Sequence, residues 1–483
     1  MSTHSYRHIF KYTGLFGSVQ ALYVLLALVR NKITVVFIGA VGLGWADLLC
    51  RTLELIGNVT NFGLGMSAVK RLSELTAAQT EPHLLHGHVR LIRTLVMGTA
   101  LLGAALCLLA APLASWFVMG TWAHTADFAL LAPAVLFSTL TGGEMAILKG
   151  IHQLSRLARA SVYSALGTLA VSTLLYFWLG ITGVLPVIIC TSALTFFFNL
   201  KAASASCPYR ISHFSRPLLK EGSPMLRLGL AYILAGVITS ISELTVRTVM
   251  VRYGGGLTMV GYYTAGFTLT VSYARMIFTA MDADYFPQLS AACHDLREMN
   301  LLINRQINAL VVLMAPFLIV FALCLPLLVR VLYTAEFLVV IPMVLCAASY
   351  MYFKAIYTPV AYISLAKGDA KIYMVLELAY DVVFCLTVIG GYLWHGLMGA
   401  GLALSLANLF DVALIGTFAY RHYGFRIRRS TLWRCLSLYV LLLAGLLVAT
   451  IPSVWVRALM GLLVLGLLAP YVWPVVQKAL RRK

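Results

Sequence analysis

Two cations, Arg30 and Lys32, sit in ALVRNKITVVFIGAVG (27–42), a stretch otherwise apolar enough to cross a bilayer. Each costs about 2.5–3.5 kcal/mol at the centre of a spanning helix, so an intramembrane charge is read first as a functional residue. A guanidinium presents a rigid fork of donors that fits phosphate or carboxylate oxygens, and such pairing strengthens where water is scarce. Arg30 and Lys32 lie about 200° apart around a helix and cannot share a face. One is expected to face a polar cavity, while the other pairs with a neighbouring helix or reaches the outer interface. Further on, Asp47, Arg51 and Glu54 fall on one helical face, with Asp47 and Arg51 in the favourable acid-first i,i+4 order. Glu243 and Arg247 repeat that spacing, and Arg275 follows in the next apolar stretch.

Two readings of these cations stand side by side. Arg30, Lys32, Arg51 and Arg247 line a site for a large anion, or each is neutralised by an acid on an adjacent helix, while Arg275 lies in the inner half of its span. Glu54, Glu243, Glu144 and Asp381 are candidate carriers of a coupling ion, and Glu377 and Asp411 have the same character. Structural pairing, with Lys354 for the last three and Glu144, is the alternative. Little else suggests chemistry. No Ser/His/Asp order, paired carboxylates or nucleotide fingerprint stands out, and RYGGGLTMVG (252–261) lacks the GK[ST] ending of a phosphate loop. His83, His86 and His88 are placed in a polar cytoplasmic loop without Cys or acidic partners at ligand spacing, so no metal and no cofactor is expected. Tyr262 and Tyr263 read as interface anchors.

The elements that carry these residues are transmembrane helices. Of 483 residues, 61% are hydrophobic and 11% charged, and the mean hydropathy is +0.89. A soluble chain of this length needs far more polar surface. Apolar runs recur along the whole sequence and predict an all-α polytopic membrane protein of about fourteen spans: 13–38, 45–69, 94–118, 126–148, 159–179, 181–200, 228–251, 257–283, 306–329, 336–362, 372–394, 397–420, 433–451 and 455–477. With the N-terminus inside, 27 of the 36 Lys and Arg fall in cytoplasmic loops and three (Arg252, Arg330, Arg457) outside. That asymmetry places both termini in the cytoplasm. The net charge of +19 is then a membrane bias and calls for no nucleic acid. The nine cysteines show no CxxC spacing and are expected as free thiols.

An internal repeat organises the spans. Lys149-Gly150 is followed by the W-x-G-x-x-G of WLGITG at Trp178, and Lys367-Gly368 by that of WHGLMG at Trp394. A weaker match pairs KITVVFIG (32–39) with RTVMVRYG (247–254). Two six-helix lobes in parallel pseudo-repeat are expected, 1–203 and 228–421, joined by a cytoplasmic linker at 204–227 and followed by an added helix pair at 422–483. The external loops are short, which disfavours an integral-membrane glycosyltransferase or polymerase working on the outer face.

With these features in place, the chain resembles the polysaccharide-exporting branch of the multidrug/oligosaccharidyl-lipid/polysaccharide flippase superfamily, most nearly the O-antigen (Wzx-type) translocases. The resemblance rests on RNKITVVFIGAVGLG (30–44), NFGLGMSAVKRLSEL (61–75), VRYGGGLTMVGYY (251–263), YFPQLSAA (285–292), LYTAEF (332–337) and AKGDAKIY (366–373). It implies two lobes around a central cationic cavity lined mainly by the first, second, seventh and eighth spans, to which Arg30, Lys32, Arg51, Arg247 and Arg275 of this chain correspond as candidate pyrophosphate contacts. The implied substrate is a polyprenyl-pyrophosphate-linked oligosaccharide, moved from the cytoplasmic to the outer leaflet of a bacterial inner membrane by alternating access, without catalysis. It would work as a monomer, with other polysaccharide-assembly proteins as further partners. In the lipid II flippase branch the first-span Arg is followed by Asp, whereas Asn31 follows Arg30 here. A multidrug and toxin extrusion antiporter shares the fold, but would want acids where this chain places cations.

Overall fold

The computed structural model describes residues 3–77, 82–212, 216–272, 278 and 285–480, and among these the chain is helical throughout, with no β-strand. Nine helical stretches among the described residues are long and apolar enough to cross a membrane, which makes this a multi-pass membrane protein. Three of the nine, Leu25–Thr60, Leu154–Ser204 and Lys371–Tyr423, carry a glycine break.

By internal contact the chain forms two compact units, Met1–Gly261 and Tyr262–Lys483. The first begins with α1 (Thr3–Thr60), which breaks at Gly39 with φ 61° and ψ −164°. That region of backbone space is essentially closed to residues with a Cβ. The chain reverses there: the charge of Arg30 reaches Cys50, although twenty residues of straight helix would hold them about 30 Å apart. α1 ends at a left-handed turn, with Phe62 at φ 46° and Gly63 at φ 61°. The second span expected at 45–69 therefore stops at Thr60, and α2 (Leu64–Ala77) is a separate helix.

α3 (Pro82–Met119), α4 (Thr125–Ala129), α5 (Ala132–Gly150), α6 (Leu154–Leu179), α7 (Val184–Ser204), α8 (Arg216–Tyr253) and α9 (Leu257–Phe267) follow. His83, His86 and His88 thus lie in the first turns of α3 and not in a loop. Apolar side chains of α2, α3 and α5, among them Leu72, Ile92, Leu95 and Ile147, form one core, and α8 packs on α1, α2 and α3. A Cβ at Gly44 would collide with the Leu257 carbonyl, and one at Gly261 with that of Ala40, so α1 and the start of α9 meet backbone to backbone.

The second unit contains α10 (Leu296–Leu332), α11 (Ile341–Ala366), α12 (Ala370–Tyr423), α13 (Arg429–Ala449) and α14 (Val454–Leu480). α12 breaks at His395–Gly396, with Gly396 at φ 58° and ψ −141°. Gly391 then lies against Gly399 and Ala403, so the chain reverses again. Gly180 adopts the same backbone, φ 55° and ψ −131°. The W-x-G-x-x-G repeat is thus a repeat of backbone shape, shared by the GAVGLG of α1 (39–44) and the GLMGAG of α12 (396–401).

A ladder of asparagines one turn apart ties α10 to the chain before α13. Asn300 Oδ1 accepts from Arg426 N at 2.7 Å and Asn304 Oδ1 from Arg428 N at 2.8 Å, while Asn308 Nδ2 donates to Thr431 Oγ1 at 2.9 Å.

Candidate functional site

The charges on the second half of α1 and on α8 form one network inside the first unit. Arg51 Nη1 lies 2.8 Å from Glu54 Oε2 and 2.7 Å from Glu243 Oε2, and its Nε donates to Asp47 Oδ1 at 3.4 Å. Arg247, fully buried, donates through Nε to Asp47 Oδ2 and through Nη1 to the Glu243 carbonyl at 2.9 Å. Both i,i+4 pairs read from the sequence are present, Asp47 with Arg51 and Glu243 with Arg247. Three carboxylates thus meet two guanidiniums, and for Arg51 and Arg247 the neighbouring-acid alternative describes the arrangement.

Glu144 is held in the same way. Arg93 grips it with two parallel bonds, Nε to Oε1 at 2.8 Å and Nη2 to Oε2 at 2.7 Å. The two side chains are only 3% and 4% exposed. Arg93 Nη1 also donates to the carbonyls of Cys207 and Pro208, which pins the chain after α7. Its guanidinium lies over the Tyr209 ring, and burial, with the Glu144 charge, lifts that phenol above its ordinary range. Sequence reasoning placed Arg93 in a cytoplasmic loop. The signal that could have found it is Glu144 itself, an acid deep in an apolar helix and in need of a cation.

Arg30 stands apart from both arrangements. Exposed itself, it lines an open-sided pocket of about 520 Å³ between α1, α5, α6 and α7. Lys149, at the end of α5, lines it as well. Lys32 is not among the lining residues, as the 200° separation requires. Among the described residues neither Arg30 nor Lys149 has a carboxylate within ion-pair distance. The wall between them is rich in hydroxyls, including Ser161, Thr191 and Thr195, and in the amide of Asn199.

In the second unit the balance of charge is reversed. Asp381 and Asp411 are each 4% exposed, and Glu377 and Lys354 interact electrostatically with Asp411. The Lys354 ammonium faces the rings of Phe278 and Tyr350 at 5.9 and 5.7 Å. Asn408 donates to Tyr380 Oη at 3.1 Å. Asp411 Oδ1 is buried with no partner among the described residues. Asp411 thus sits among two further acids and one Lys. Among the described residues no group of His, Cys, Asp and Glu is arranged to hold a metal ion.

Three other candidates complete the survey. Arg275 lies outside the described residues. Tyr263 is fully buried against Phe267 and so belongs to the core, not to a membrane interface, while Tyr262 donates to Glu336 Oε1 at 3.0 Å.

Solved structures share this architecture. A lipid II flippase, MurJ, in an inward closed conformation matches with a TM-score of 0.71 at 16% identity, over 96% of this chain and 99% of that one. An inward-facing multidrug resistance MATE family transporter of the MOP superfamily matches at 0.65 and 15% identity, over 86% of this chain and 96% of that one. An outward-facing MATE family transporter of the same superfamily matches at 0.57 and 15% identity, over 88% and 94%. At such identities the likeness is one of fold. No curated protein matches the sequence. The family model described as polysaccharide biosynthesis protein matches residues 62–342, more than half of the chain. The family resemblance seen in the motifs therefore holds: this chain belongs to the polysaccharide biosynthesis protein family, on the fold shared by MurJ and the MATE transporters.

Proposed function

We propose that the protein is a flippase that moves a polyprenyl-pyrophosphate-linked oligosaccharide, an O-antigen or similar surface-polysaccharide unit, from the cytoplasmic to the outer leaflet of a bacterial inner membrane by alternating access. The observation that carries this reading is the pocket of the first unit, where Arg30, Lys149 and a wall of hydroxyls lie inside an apolar bundle. A glycan and its phosphates find there the hydrogen bonds that the bilayer core does not offer. Membership of a polysaccharide biosynthesis family supports it, as does a fold shared with a protein titled lipid II flippase.

On this reading the chain crosses the membrane fourteen times with both termini inside, in lobes 1–203 and 228–421 with a linker at 204–227 and a helix pair at 422–483. It acts as a monomer without catalysis, alongside other polysaccharide-assembly proteins. The pyrophosphate meets Arg30 in the pocket, and Lys32, on another face of the first span, and Arg275 are further candidate contacts along its route. Arg51 and Arg247 are engaged by Asp47, Glu54 and Glu243 and do not line that pocket. Glu54, Glu243 and Glu144 are each held by an arginine. Coupling to a proton is therefore assigned to Asp411, which keeps one oxygen buried without a partner among the described residues and feels the charges of Glu377 and Asp381, with Asp381 as a second candidate.

The test is flipping of a fluorescent polyprenyl-pyrophosphate oligosaccharide in proteoliposomes. Wild type is expected to flip it, with Arg30→Ala at least tenfold slower and Arg51→Ala limited by its folding. Wild type that moves no such lipid but exports an organic cation would hand the chain to the extrusion antiporters.

A further inference from the structure

The pocket of the first unit carries more information than its polarity. α5 runs along it from Ser138 to Lys149, and α6 from Leu157 to Thr168, a length of about 16 Å at 1.5 Å per residue. Lys149 stands at one end, with the start of α6 and Asn199 of α7. Arg30 stands toward the other end, because its charge reaches Tyr176, two turns beyond Thr168. One cation therefore guards each end.

The wall between them accepts hydrogen bonds. Ser161, Thr191 and Thr195 each donate their hydroxyl proton to a carbonyl of their own helix, at 2.9, 2.6 and 2.7 Å. A hydroxyl whose proton is spent in this way still has a lone pair to offer. Asn199 follows the same rule: its Nδ2 donates to the Thr195 carbonyl at 2.9 Å. Its Oδ1 is buried with no partner among the described residues, in a residue only 2% exposed. Ser164 Oγ is buried and without a partner there as well.

A ligand for this wall donates hydrogen bonds along its length and carries negative charge at both ends. An organic or metal cation is repelled by Arg30 and Lys149. A bare phosphate or pyrophosphate has only acceptors to set against acceptors. A neutral glycan leaves Lys149 without a counter-charge. A polyol with an acid group fits every part, and the apolar patches of Leu26, Met145 and Leu157 suit the C–H faces of sugar rings. The volume lies in the range of small-molecule sites.

Resting on the flippase reading, we propose that the transported glycan contains an acidic sugar, bearing a carboxylate or a phosphate, and that Lys149 and Asn199 recognise it while Arg30 holds the pyrophosphate end. Lys149 and Asn199 set substrate specificity.

Binding to the purified full chain in nanodiscs tests this independently of transport. The probes are trigalacturonate, the neutral maltotriose and inorganic pyrophosphate, each titrated calorimetrically. Trigalacturonate is expected to bind at least tenfold more tightly than maltotriose. Lys149→Gln, a change at an exposed helix end, is expected to weaken it at least tenfold, and Asn199→Leu to weaken it severalfold. Equal binding of trigalacturonate and maltotriose, or no binding of either, overturns the proposal. So does a Lys149→Gln protein that binds trigalacturonate as wild type does. Pyrophosphate binding as tightly as trigalacturonate, unchanged in Asn199→Leu, would make the pocket a site for the lipid's phosphates alone. The flippase reading is judged separately by the flipping assay, so a chain that flips neutral and acidic lipids equally keeps that reading and loses this one.

Discussion

Both units of the molecule bury acids in apolar helices, yet they treat them in opposite ways. In the first unit each buried acid meets a guanidinium: Glu144 with Arg93, Asp47 with Arg51 and Arg247, and Glu243 with Arg51. In the second, Asp411 feels the charges of Glu377, Lys354 and Asp381, and keeps one oxygen buried without a partner among the described residues. A buried charge held in a bidentate pair keeps its partner close, since either side chain alone is costly. An acid without its own cation is free to change its protonation. On the proposed reading the difference separates scaffold from working part: the paired acids hold helices together, and Asp411 is the place where a proton comes and goes.

The largest expected effect breaks the scaffold side. Glu144→Gln leaves the Arg93 guanidinium buried without counter-charge, a change worth about 3–5 kcal/mol. Thermal unfolding in detergent should show a marked drop, with loss of the monodisperse peak on size exclusion. Replacing both residues with Met should recover much of the stability, because an apolar pair of similar volume is often neutral. Asp411→Asn addresses the other side. The amide is nearly isosteric and removes a crowded negative charge, so stability is expected to hold or rise, while gradient-driven flipping falls at least tenfold and lipid binding persists. If Asp411→Asn unfolds as Glu144→Gln does, the acid cluster is scaffold too and the contrast between the units disappears.

How far these arrangements were legible follows from the range of each signal. Membrane spans, helical class and the i,i+4 pairs depend on hydropathy and on neighbours within a turn, and both were readable from the sequence. The W-x-G-x-x-G repeat was visible too, although its meaning, a glycine backbone closed to other residues, appears only with φ and ψ. The end of the second span at Thr60 was missed because Asn61–Gly63 interrupts an apolar run without a proline or a charge. Arg93 was missed because its partner lies fifty-one residues away, and Lys149 because it is an exposed residue at a helix end, whose place beside α6 and α7 no local pattern records. The candidate anion site suffered most. Whether Arg51 and Arg247 face a ligand or an acid depends on how α8 packs against α1, which no local pattern records.

Where the two units share a device, substitution should cost the same in both. Gly180 and Gly396 hold nearly the same backbone, φ 55° and 58°, in a region where a Cβ is strained by about 1–3 kcal/mol. Gly180→Ala and Gly396→Ala should therefore lower thermal stability by similar amounts in that range. An effect confined to one would mean that the two turns are alike in sequence but not in role.

The smallest effect lies where the units solve one problem with different chemistry. Both must hold the chain that follows a helix: the first uses Arg93 on the carbonyls of Cys207 and Pro208, the second the asparagine ladder of α10. Asn308 bonds Thr431 Oγ1 and accepts from Arg434 Nη1, both at 2.9 Å. Arg434 is only half-buried and can turn to water when that acceptor is lost. A neutral hydrogen bond contributes about 1 kcal/mol net, so Asn308→Ala should cost about that much and leave flipping intact. Because the ladder has three rungs on successive turns, the loss should be absorbed by Asn300 and Asn304, and the chain before α13 should stay protected in hydrogen exchange. The same region opening in Asn308→Ala would show that the rungs act as one unit, as strictly as the charged grip of Arg93.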